Sequence, residues 1–376
     1  MAHQNGDSPT MPLTDLDMMS DCLSDKSGGN MLDGSKSQRL SVASHGSTSS
    51  YPNEDDSSDN RTDADTSSAN SLHGSFSLPP SVSHASYRHG RRYQTYRDER
   101  YVLPNDEGEQ AREALTHHMM LEALDGRHIL APLPEDVKMI MDLGTGTGMW
   151  AMDVAEMYPD AEVHGVDLSP IQPSDVPPNV KFFIDDIEDY CVGDAVYNYI
   201  HARFLCSFIQ DPAAVIRRTF SKLKPRGWVE LQELDHTIHC DDSSVKDDYP
   251  VQQYCKITSK VTKELRGIDV QVAPKLGKMM EDAGYTDIRS VKYKVPIGEW
   301  VKDHGKDKKY RSLGEVMKYI VDWAVPPMCA LNAQGMGWSE EETQEFVQKC
   351  HDALYDSSYH SYMYVYVWMG YKPEDA

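Results

Sequence analysis

A glycine-rich turn between a buried strand and a helix most constrains the fold of this chain. The apolar run 139–143 predicts a strand, and Gly144, Gly146 and Gly148 follow it. Residues 149–158 then place apolar side chains at helical spacing. A strand, a tight turn and a helix N-terminus are typical of open α/β sheets, which bind nucleotide-like ligands beyond the carboxyl ends of their strands. Glycine suits such a turn because it allows positive φ and a close approach of backbone to ligand.

Two further strands each end in acidic residues, in the order that a nucleotide pocket requires. Residues 162–167 predict a second strand that ends at Asp167, and residues 180–184 predict a third, followed by Asp185 and Asp186. An acid at the tip of the second strand can accept hydrogen bonds from both ribose hydroxyls. Loops often carry acids simply because they are solvated, but strand-end acids in this order after one glycine turn favour a binding site.

The turn has the pattern D-x-G-x-G-x-G, which resembles motif I of the class I S-adenosylmethionine (SAM) methyltransferases. A dinucleotide fingerprint would place its third glycine at Met149, so an NAD-dependent oxidoreductase is disfavoured. The carboxylate of Asp142 suits the ammonium group of SAM, and the resemblance implies that Asp186 receives the adenine amino group while Ile187 packs against the ring. The expected cofactor-binding residues are Tyr101, Asp142, Gly144, Thr145, Gly146, Gly148, Asp167, Leu168, Asp186 and Ile187.

Charge and cysteine content exclude several classes of protein. The net charge of -23 argues against a general nucleic-acid binder, because phosphate neutralisation needs clustered Lys and Arg. Seven cysteines without a C-x-x-C pair fit reduced thiols better than disulfides or a zinc module, and we expect no metal. Residues 1–10 lack an apolar leader, and no run reaches membrane-spanning length. We therefore expect a soluble protein of the nucleus or cytoplasm, or both.

The first 86 residues differ in composition from the rest of the chain. They are rich in serine and aspartate and poor in large apolar residues, which predicts disorder. Such a segment could be a phosphorylated regulatory tail or a leader without a specific role. Residues 87–100 carry five dispersed arginines, which favours a linker slightly over a nuclear import signal. Residues 87–376 are expected to form the methyltransferase domain.

Helical and strand periodicities place the remaining candidates. A helix is predicted at 107–124, with Asn105 or Asp106 as its N-cap. Because a helix before the first strand often covers the pocket in this fold class, Tyr101, His117 and His118 are candidates to approach the ligand. Further strands are predicted at 195–201, 228–233, 287–295 and 360–368, and further helices begin at Asp211 or span 249–266, 272–283, 313–324 and 340–354.

The acceptor side of the pocket is less clearly marked. His201 lies at the end of the fourth predicted strand and is a candidate general base, although a structural role is the commoner one for such a histidine. The insertion at about 300–355, with a Pro- and Gly-containing loop between its two helices, could form a lid over the acceptor. An aromatic ring such as Tyr101 or Trp150 could stabilise the sulfonium by a cation–π contact.

Longer runs narrow the resemblance to the fungal LaeA-like methyltransferases. The most specific is Asp-Leu-Ser-Pro-Ile-Gln-Pro at 167–173, and the similarity covers about residues 87–373. Supporting runs lie at 101–107, 142–151, 184–189, 199–203, 223–233 and 370–373. The resemblance implies a Rossmann-like sheet of seven strands with helices on both faces and SAM as the cofactor. For the best-known members it implies nuclear control of secondary metabolism with velvet-type partners.

Two departures from the general methyltransferase pattern concern the acceptor. Asn198 stands where the fourth strand usually carries an acid, and Arg226 replaces the first glycine of a Pro-Gly-Gly turn. Neither touches the glycine turn, so the prediction of SAM binding stands while the acceptor stays open between a small molecule and a protein. The leading interpretation is an active SAM-dependent methyltransferase, and the alternative is a SAM-binding regulatory scaffold that acts through partners.

Overall fold

The secondary structure follows the predicted alternation of strands and helices. The computed structural model describes residues 85–88, 90–94, 103–188, 194–301 and 308–376. Its strands are β1 (Ala85–Arg88), β2 (Arg91–Gln94), β3 (Met139–Leu143), β4 (Glu162–Asp167), β5 (Val180–Ile184), β6 (Tyr197–Arg203), β7 (Leu223–Cys240), β8 (Thr286–Pro296) and β9 (Ser361–Tyr371). Its helices are α1 (Glu107–Ala123), α2 (Met149–Met157), α3 (Pro212–Lys222), α4 (Pro250–Arg266), α5 (Leu276–Asp282), α6 (Lys308–Met336) and α7 (Glu340–Leu354), with short 3-10 turns at Cys206–Phe208 and Ala273–Lys275.

Seven strands form one mixed sheet in the order β5-β4-β3-β6-β7-β9-β8. Strands β3 to β7 pair with one another in parallel, whereas β9 runs antiparallel to both β7 and β8. The parallel arrangement brings the carboxyl ends of β3, β4, β5 and β6 to one edge of the sheet, where open α/β folds bind their ligands. The predicted seven-stranded Rossmann-like sheet is confirmed.

Helices cover both faces of this sheet, as expected from the apolar strands. Side chains of β3 alternate between the faces: Ile140 packs in a core with Trp150 and Val154 of α2, and Met141 packs in another core with Ile216 of α3. A third core joins α1, α4, α6 and α7 to β8 and β9. The insertion between β8 and β9 is thus packed against the rest of the domain.

The loop predicted between the two helices of this insertion lies further along the chain than expected, between Met336 and Glu340. Helix α6 runs for 29 residues and continues through Pro326 and Pro327, where the sequence predicted that a helix had ended. Proline in a helix removes a backbone hydrogen bond and costs about 3 kcal/mol. Here Val325 and Met328 are buried in the third core and Pro327 is buried between them in sequence, so packing outweighs that cost. No helix in the described ranges is both long enough and apolar enough to cross a membrane.

Two strand boundaries also differ from prediction. The expected turn at 225–227 lies inside β7, because Arg226 N donates to Lys372 O and Lys372 N donates to Gly227 O, both at 2.9 Å. Arg226 itself adopts a φ of 67°. Strand β6 begins and ends two residues later than predicted, and Ala195, with a φ of 56°, precedes it.

Residues 85–88 and 91–94 form a hairpin that the sequence did not suggest. Strands β1 and β2 pair antiparallel where disorder and a linker were expected. Arg91 Nη2 donates to Asp106 Oδ1 at 2.8 Å, and Arg92 Nη2 donates to Asn105 O at 2.7 Å, so two of the five arginines fix the hairpin to the start of α1. The rest of the linker, 95–100, and the predicted disorder up to residue 84 fall outside the described residues.

Candidate active site

The glycine turn after β3 is anchored to the end of β4 by backbone hydrogen bonds. Gly144 N and Thr145 N both donate to Val166 O, at 2.9 and 3.0 Å. Gly146 and Gly148 adopt φ values of 54° and 83°, which lie in the left-handed region that favours glycine. The sequence therefore folds locally into a tight turn whose backbone is open to a ligand on one side.

Asp167, the predicted ribose acid, lies beside this turn. Its Oδ2 accepts a hydrogen bond from Gly146 N at 2.8 Å, and its Oδ1 accepts one from Ser169 N at 2.9 Å. Burial raises the pKa of Asp167, although these amide hydrogen bonds oppose the shift. A carboxylate has about four lone-pair positions, so Asp167 retains capacity to accept ribose hydroxyls.

Asp142, the predicted partner of the SAM ammonium, is buried and engaged within the protein. Its Oδ2 accepts a hydrogen bond from Thr145 Oγ1 at 2.7 Å, and its Oδ1 pairs with His201 Nδ1 at 2.8 Å. The His201 ring stacks on Trp150 with a centroid distance of 3.8 Å. Among the described residues, His201 Nε2 has no hydrogen-bond partner. The arrangement links β3, β6 and α2 beneath the turn.

One cavity of about 230 Å³ lies at the carboxyl edge of the sheet. Most of the predicted cofactor residues line it: Gly144, Thr145, Gly146, Asp167, Leu168, Asp186 and Ile187. Four carboxylates share its cofactor end, those of Glu113, Asp167, Asp186 and Glu188. This charge suits a ligand with a sulfonium and an ammonium group and opposes one with phosphates, so the residues present fit SAM rather than a dinucleotide.

Several predicted residues lie elsewhere. Asp142, Gly148 and His201 are absent from the lining of the cavity, so the expected direct contacts of Asp142 and His201 with ligands stay predictions. His117 lines the cavity, whereas His118 is exposed and contacts the His117 ring edge-on. Tyr101 lies outside the described residues.

Glu113 lines the cavity but was not among the residues predicted from the sequence. Its Oε2 accepts a hydrogen bond from Thr147 N at 3.2 Å, beside the glycine turn. A methyl group placed on Gly146 would come within 2.8 Å of the same oxygen. Burial, together with the neighbouring charge of Asp167, raises the pKa of Glu113 to about 7. An acid on an amphipathic helix gives no local signal that it faces a cavity.

The hairpin and the segment after β4 close the cofactor end. Ser169 Oγ donates to Gln94 Oε1 of β2, and Gln94 lines the cavity. Gln172 Nε2 donates to Gly146 O at 2.6 Å. Ser169 and Gln172 belong to the run 167–173, the most specific part of the resemblance, and that run was the available signal for them.

A histidine pair connects the cavity to α2. His117 Nε2 and His128 Nε2 each lie 2.9 Å from Asp153 Oδ2, and Arg203 Nη2 lies 2.9 Å from His117 Nδ1. Arginine can only donate, so His117 Nδ1 accepts and its Nε2 carries the proton donated to Asp153. Although burial opposes it, hydrogen bonds from both histidines hold the pKa of Asp153 below its usual range. The side chains of His117, His128 and Asp153 are of the kinds that bind metal ions. The positive charge of the Arg203 guanidinium next to His117 opposes the binding of a metal cation there.

The other half of the cavity is mainly apolar. Helices α4 and α6, strands β7 and β9 and the segment after α4 supply its wall, and the residues of α6 that line it are all apolar. The lining residues of this acceptor wall are Leu234, Tyr254, Val270, Met317, Ile320, Val321, Ala324, Met328 and Met363. A ligand with a large apolar surface would be stabilised there, because burying apolar surface away from water is favourable.

His236 is the titratable group on the acceptor wall of β7. Its ring meets Phe208 edge-on, with centroids 6.2 Å apart, and it lines the cavity. Burial lowers the pKa of His236 to about 4, so its imidazole is neutral near pH 7. A neutral imidazole can accept a hydrogen bond from an acceptor hydroxyl. No sequence motif distinguished this histidine from the others of β7.

Comparisons with known proteins agree with the geometry. A methyltransferase-domain family model matches residues 115–290. Methyltransferase pytC of Aspergillus terreus is 36% identical over 269 residues, which cover 71% of this chain and 81% of that protein. Protein-methionine methyltransferase laeA of Emericella nidulans is 30% identical over 310 residues, covering 80% of this chain and 81% of that protein.

Among solved structures, a phosphoethanolamine N-methyltransferase of Haemonchus contortus in complex with SAM aligns at a TM-score of 0.38 and 14% identity. The alignment covers 70% of this chain and 52% of that chain. So low a score supports no comparison of sites, and the family follows from the sequence relatives. The chain therefore belongs to the LaeA-like family of class I SAM-dependent methyltransferases.

Proposed function

We propose that this enzyme transfers the methyl group of SAM to a small, largely apolar acceptor bound in the same cavity. The observation that carries the proposal is the acceptor wall of α4, α6, β7 and β9, which continues directly from the cofactor end. SAM supplies an activated methyl group on a sulfonium. The protein then has to hold the acceptor against that methyl group, with the reacting atoms about 3–3.5 Å apart.

The residues at the cofactor end have proposed roles in binding SAM. Gly144 and Gly146 allow the backbone to approach the ligand, and Asp167 accepts the ribose hydroxyls. Asp186 receives the adenine amino group while Ile187 packs against the ring. The support is that all five residues line one cavity in the order of the strands that carry them.

At the acceptor end, the apolar side chains of α6 exclude water and orient the acceptor by its shape. Trp150 also lines the cavity, where its ring can face a sulfonium. His236 is the better placed proton acceptor, because it lines the acceptor wall with a neutral ring. The general-base role predicted for His201 stays a prediction, since its ring stacks on Trp150 outside the lining.

A blocking substitution tests the proposal. Met317→Trp fills the acceptor wall without touching the cofactor end, and Met336→Trp, on the same helix but exposed, is the matched control. The enzyme is incubated with methyl-labelled SAM and the small-molecule fraction of a cell extract. We expect label in organic-soluble products with the parent and Met336→Trp enzymes, and none with Met317→Trp, which still binds S-adenosylhomocysteine. Label found only on protein would refute a small acceptor.

A regulatory role is the second candidate, favoured by a relative named secondary metabolism regulator laeA in Aspergillus flavus, 29% identical over 289 residues. In this proposal the protein acts in the nucleus of a fungus with velvet-type partners, and SAM binding matters more than turnover. A Gly146→Ala variant that folds but fails to bind SAM separates the two. Rescue of a deletion strain by this variant would favour a scaffold, and failure to rescue would favour the enzyme.

A further inference from the structure

A half-buried carboxylate on α1, that of Glu113, lines the cofactor end of the cavity and has no salt-bridge partner among the described residues. Glu113 uses Oε2 to accept from Thr147 N, and no described residue forms a salt bridge with it. The neighbouring Arg112 pairs with Glu109 at 2.6 Å, and Arg203 donates to His117. Burying a charge without a partner is costly, so an unpaired carboxylate at a binding site points to a cationic group of the ligand.

Two acids lie close together at this point. Glu113 and Asp167 both contact the glycine turn, through Thr147 N and Gly146 N. Burial raises the pKa of both carboxyl groups, and repulsion from Asp167 adds to the shift of Glu113. A positive ligand group would relieve this repulsion, whereas a neutral hydroxyl would not.

The residue expected from the sequence for this task is otherwise occupied. Both oxygens of Asp142 take part in hydrogen bonds, to Thr145 and His201, the residue is 3% exposed and, unlike Asp167, it does not line the cavity. Asp142 therefore supports the turn through Thr145, while Glu113 lines the cavity. We propose that Glu113, rather than Asp142, is the carboxylate that receives the ammonium group of the amino-acid tail of SAM. The inference rests on SAM binding and is independent of the proposed acceptor.

The test compares two ligands that differ only in that tail. S-adenosylhomocysteine carries the amino-acid tail, and 5′-methylthioadenosine has the same adenosine and thioether without it. Both are titrated calorimetrically into the full-length chain. We expect Glu113→Gln to weaken S-adenosylhomocysteine about 10- to 100-fold, as is usual for a lost charge-assisted hydrogen bond. Its affinity for 5′-methylthioadenosine should stay within about twofold, because that ligand makes no contact with the tail site.

Two further variants make the result decisive. Asp142→Asn should affect both ligands alike, since it loosens the turn that both of them contact. Glu107→Gln removes an exposed acid from the same helix and should change neither affinity. A selective loss of S-adenosylhomocysteine in Asp142→Asn, or an equal loss of both ligands in Glu113→Gln, would overturn the assignment.

The unmodified protein offers an independent measurement if Glu113→Gln fails to fold. The charged groups facing Glu113 are Asp167, Arg112, Glu109 and, across the cavity, Arg203. Protonation of Glu113 below about pH 7 removes the partner of the ammonium, so affinity for S-adenosylhomocysteine should rise between about pH 6 and 8. Protonation of Asp167 at the ribose would weaken both ligands equally. The same pH dependence for 5′-methylthioadenosine would therefore count against Glu113.

Discussion

The backbone N–H of Gly146 donates a 2.8 Å hydrogen bond to Oδ2 of Asp167 and thereby joins two strands at the proposed cofactor site. The glycine belongs to the turn after β3, and the acid ends β4. The bond lies within the protein, so it fixes the carboxylate of Asp167, the proposed ribose acid, against the turn. Preorganisation of this kind reduces the entropy cost of association.

Asp167→Ala should weaken binding of S-adenosylhomocysteine by about 1.5–3 kcal/mol, because hydrogen bonds to a charged acceptor are lost. Isothermal titration calorimetry measures the change. Asp160→Ala, which removes an exposed acid just before β4, serves as the control and should leave the affinity unchanged. Unaltered affinity in Asp167→Ala would refute the ribose assignment.

Gly148→Ala should lower the free energy of unfolding by about 2–4 kcal/mol, for two reasons. The residue has a φ of 83°, and an added methyl group would lie 2.4 Å from the Phe182 ring. Gly126→Ala is a matched control, since Gly126 has a φ of 78° but open space around it. Urea denaturation should therefore show a smaller loss for Gly126→Ala, of about 1 kcal/mol. Equal losses would mean that the Phe182 contact is unimportant.

Arg91→Ala should destabilise the domain by about 1–2 kcal/mol, because it removes a two-point pair with the N-cap Asp106. Although burial opposes it, hydrogen bonds from Arg91 and from the Glu109 amide hold the pKa of Asp106 below its usual value. A lowered carboxyl pKa stabilises the fold above the unfolded value of about 3.9, and this stabilisation is lost as the pH falls through the folded value.

The difference in unfolding free energy between the parent protein and Arg91→Ala should accordingly have its full size near pH 6 and become smaller below about pH 4. Thermal unfolding at several pH values measures it. Arg217→Ala removes an exposed arginine 4.0 Å from Asp211 and should have little effect at any pH. A pH-independent deficit in Arg91→Ala would show that packing, rather than the ion pair, stabilises the hairpin.

Trp150→Ala should cost about 3–5 kcal/mol of unfolding free energy, since the indole is 2% exposed and stacks on His201. Trp150→Phe should cost about 1–2 kcal/mol, because it keeps an aromatic ring but loses the hydrogen bond from Nε1 to His128 O. Chemical denaturation of the two variants gives the comparison. Equal costs would indicate that stacking on His201 contributes nothing.

The cofactor half of the site was predictable from the sequence because its signals are local. A strand, a glycine turn and strand-end acids each occupy a few consecutive residues, and parallel pairing brings Asp167 and Asp186 to one edge. The engagement of Asp142 was not predictable in this way. It depends on β3 lying beside β6 with Asp142 opposite His201, a relation between residues far apart in sequence.

The features that the sequence did not predict share a physical cause, because they depend on tertiary contacts rather than on local sequence preferences for secondary structure. Pro326 and Pro327 predicted a break, yet burial of α6 keeps the helix continuous. Five arginines predicted a linker, yet Arg91 and Arg92 have partners on α1. Glu113 carried no local signal because the pattern of a helix says which face is apolar but not which polar side chain meets a cavity.

The position of α6 between β8 and β9 has a consequence for how the family can diversify. The strand-end residues of the cofactor end come from 144–188, with Glu113 added from α1, whereas the α6 residues of the acceptor wall come from 317–328, so these parts of the cavity are encoded in separate stretches of the gene. Substitutions in the second stretch can change the accepted molecule while the first stays intact. If the proposed acceptor wall binds the methyl acceptor, substitutions in α6 alone would change the acceptor while the SAM site stays the same.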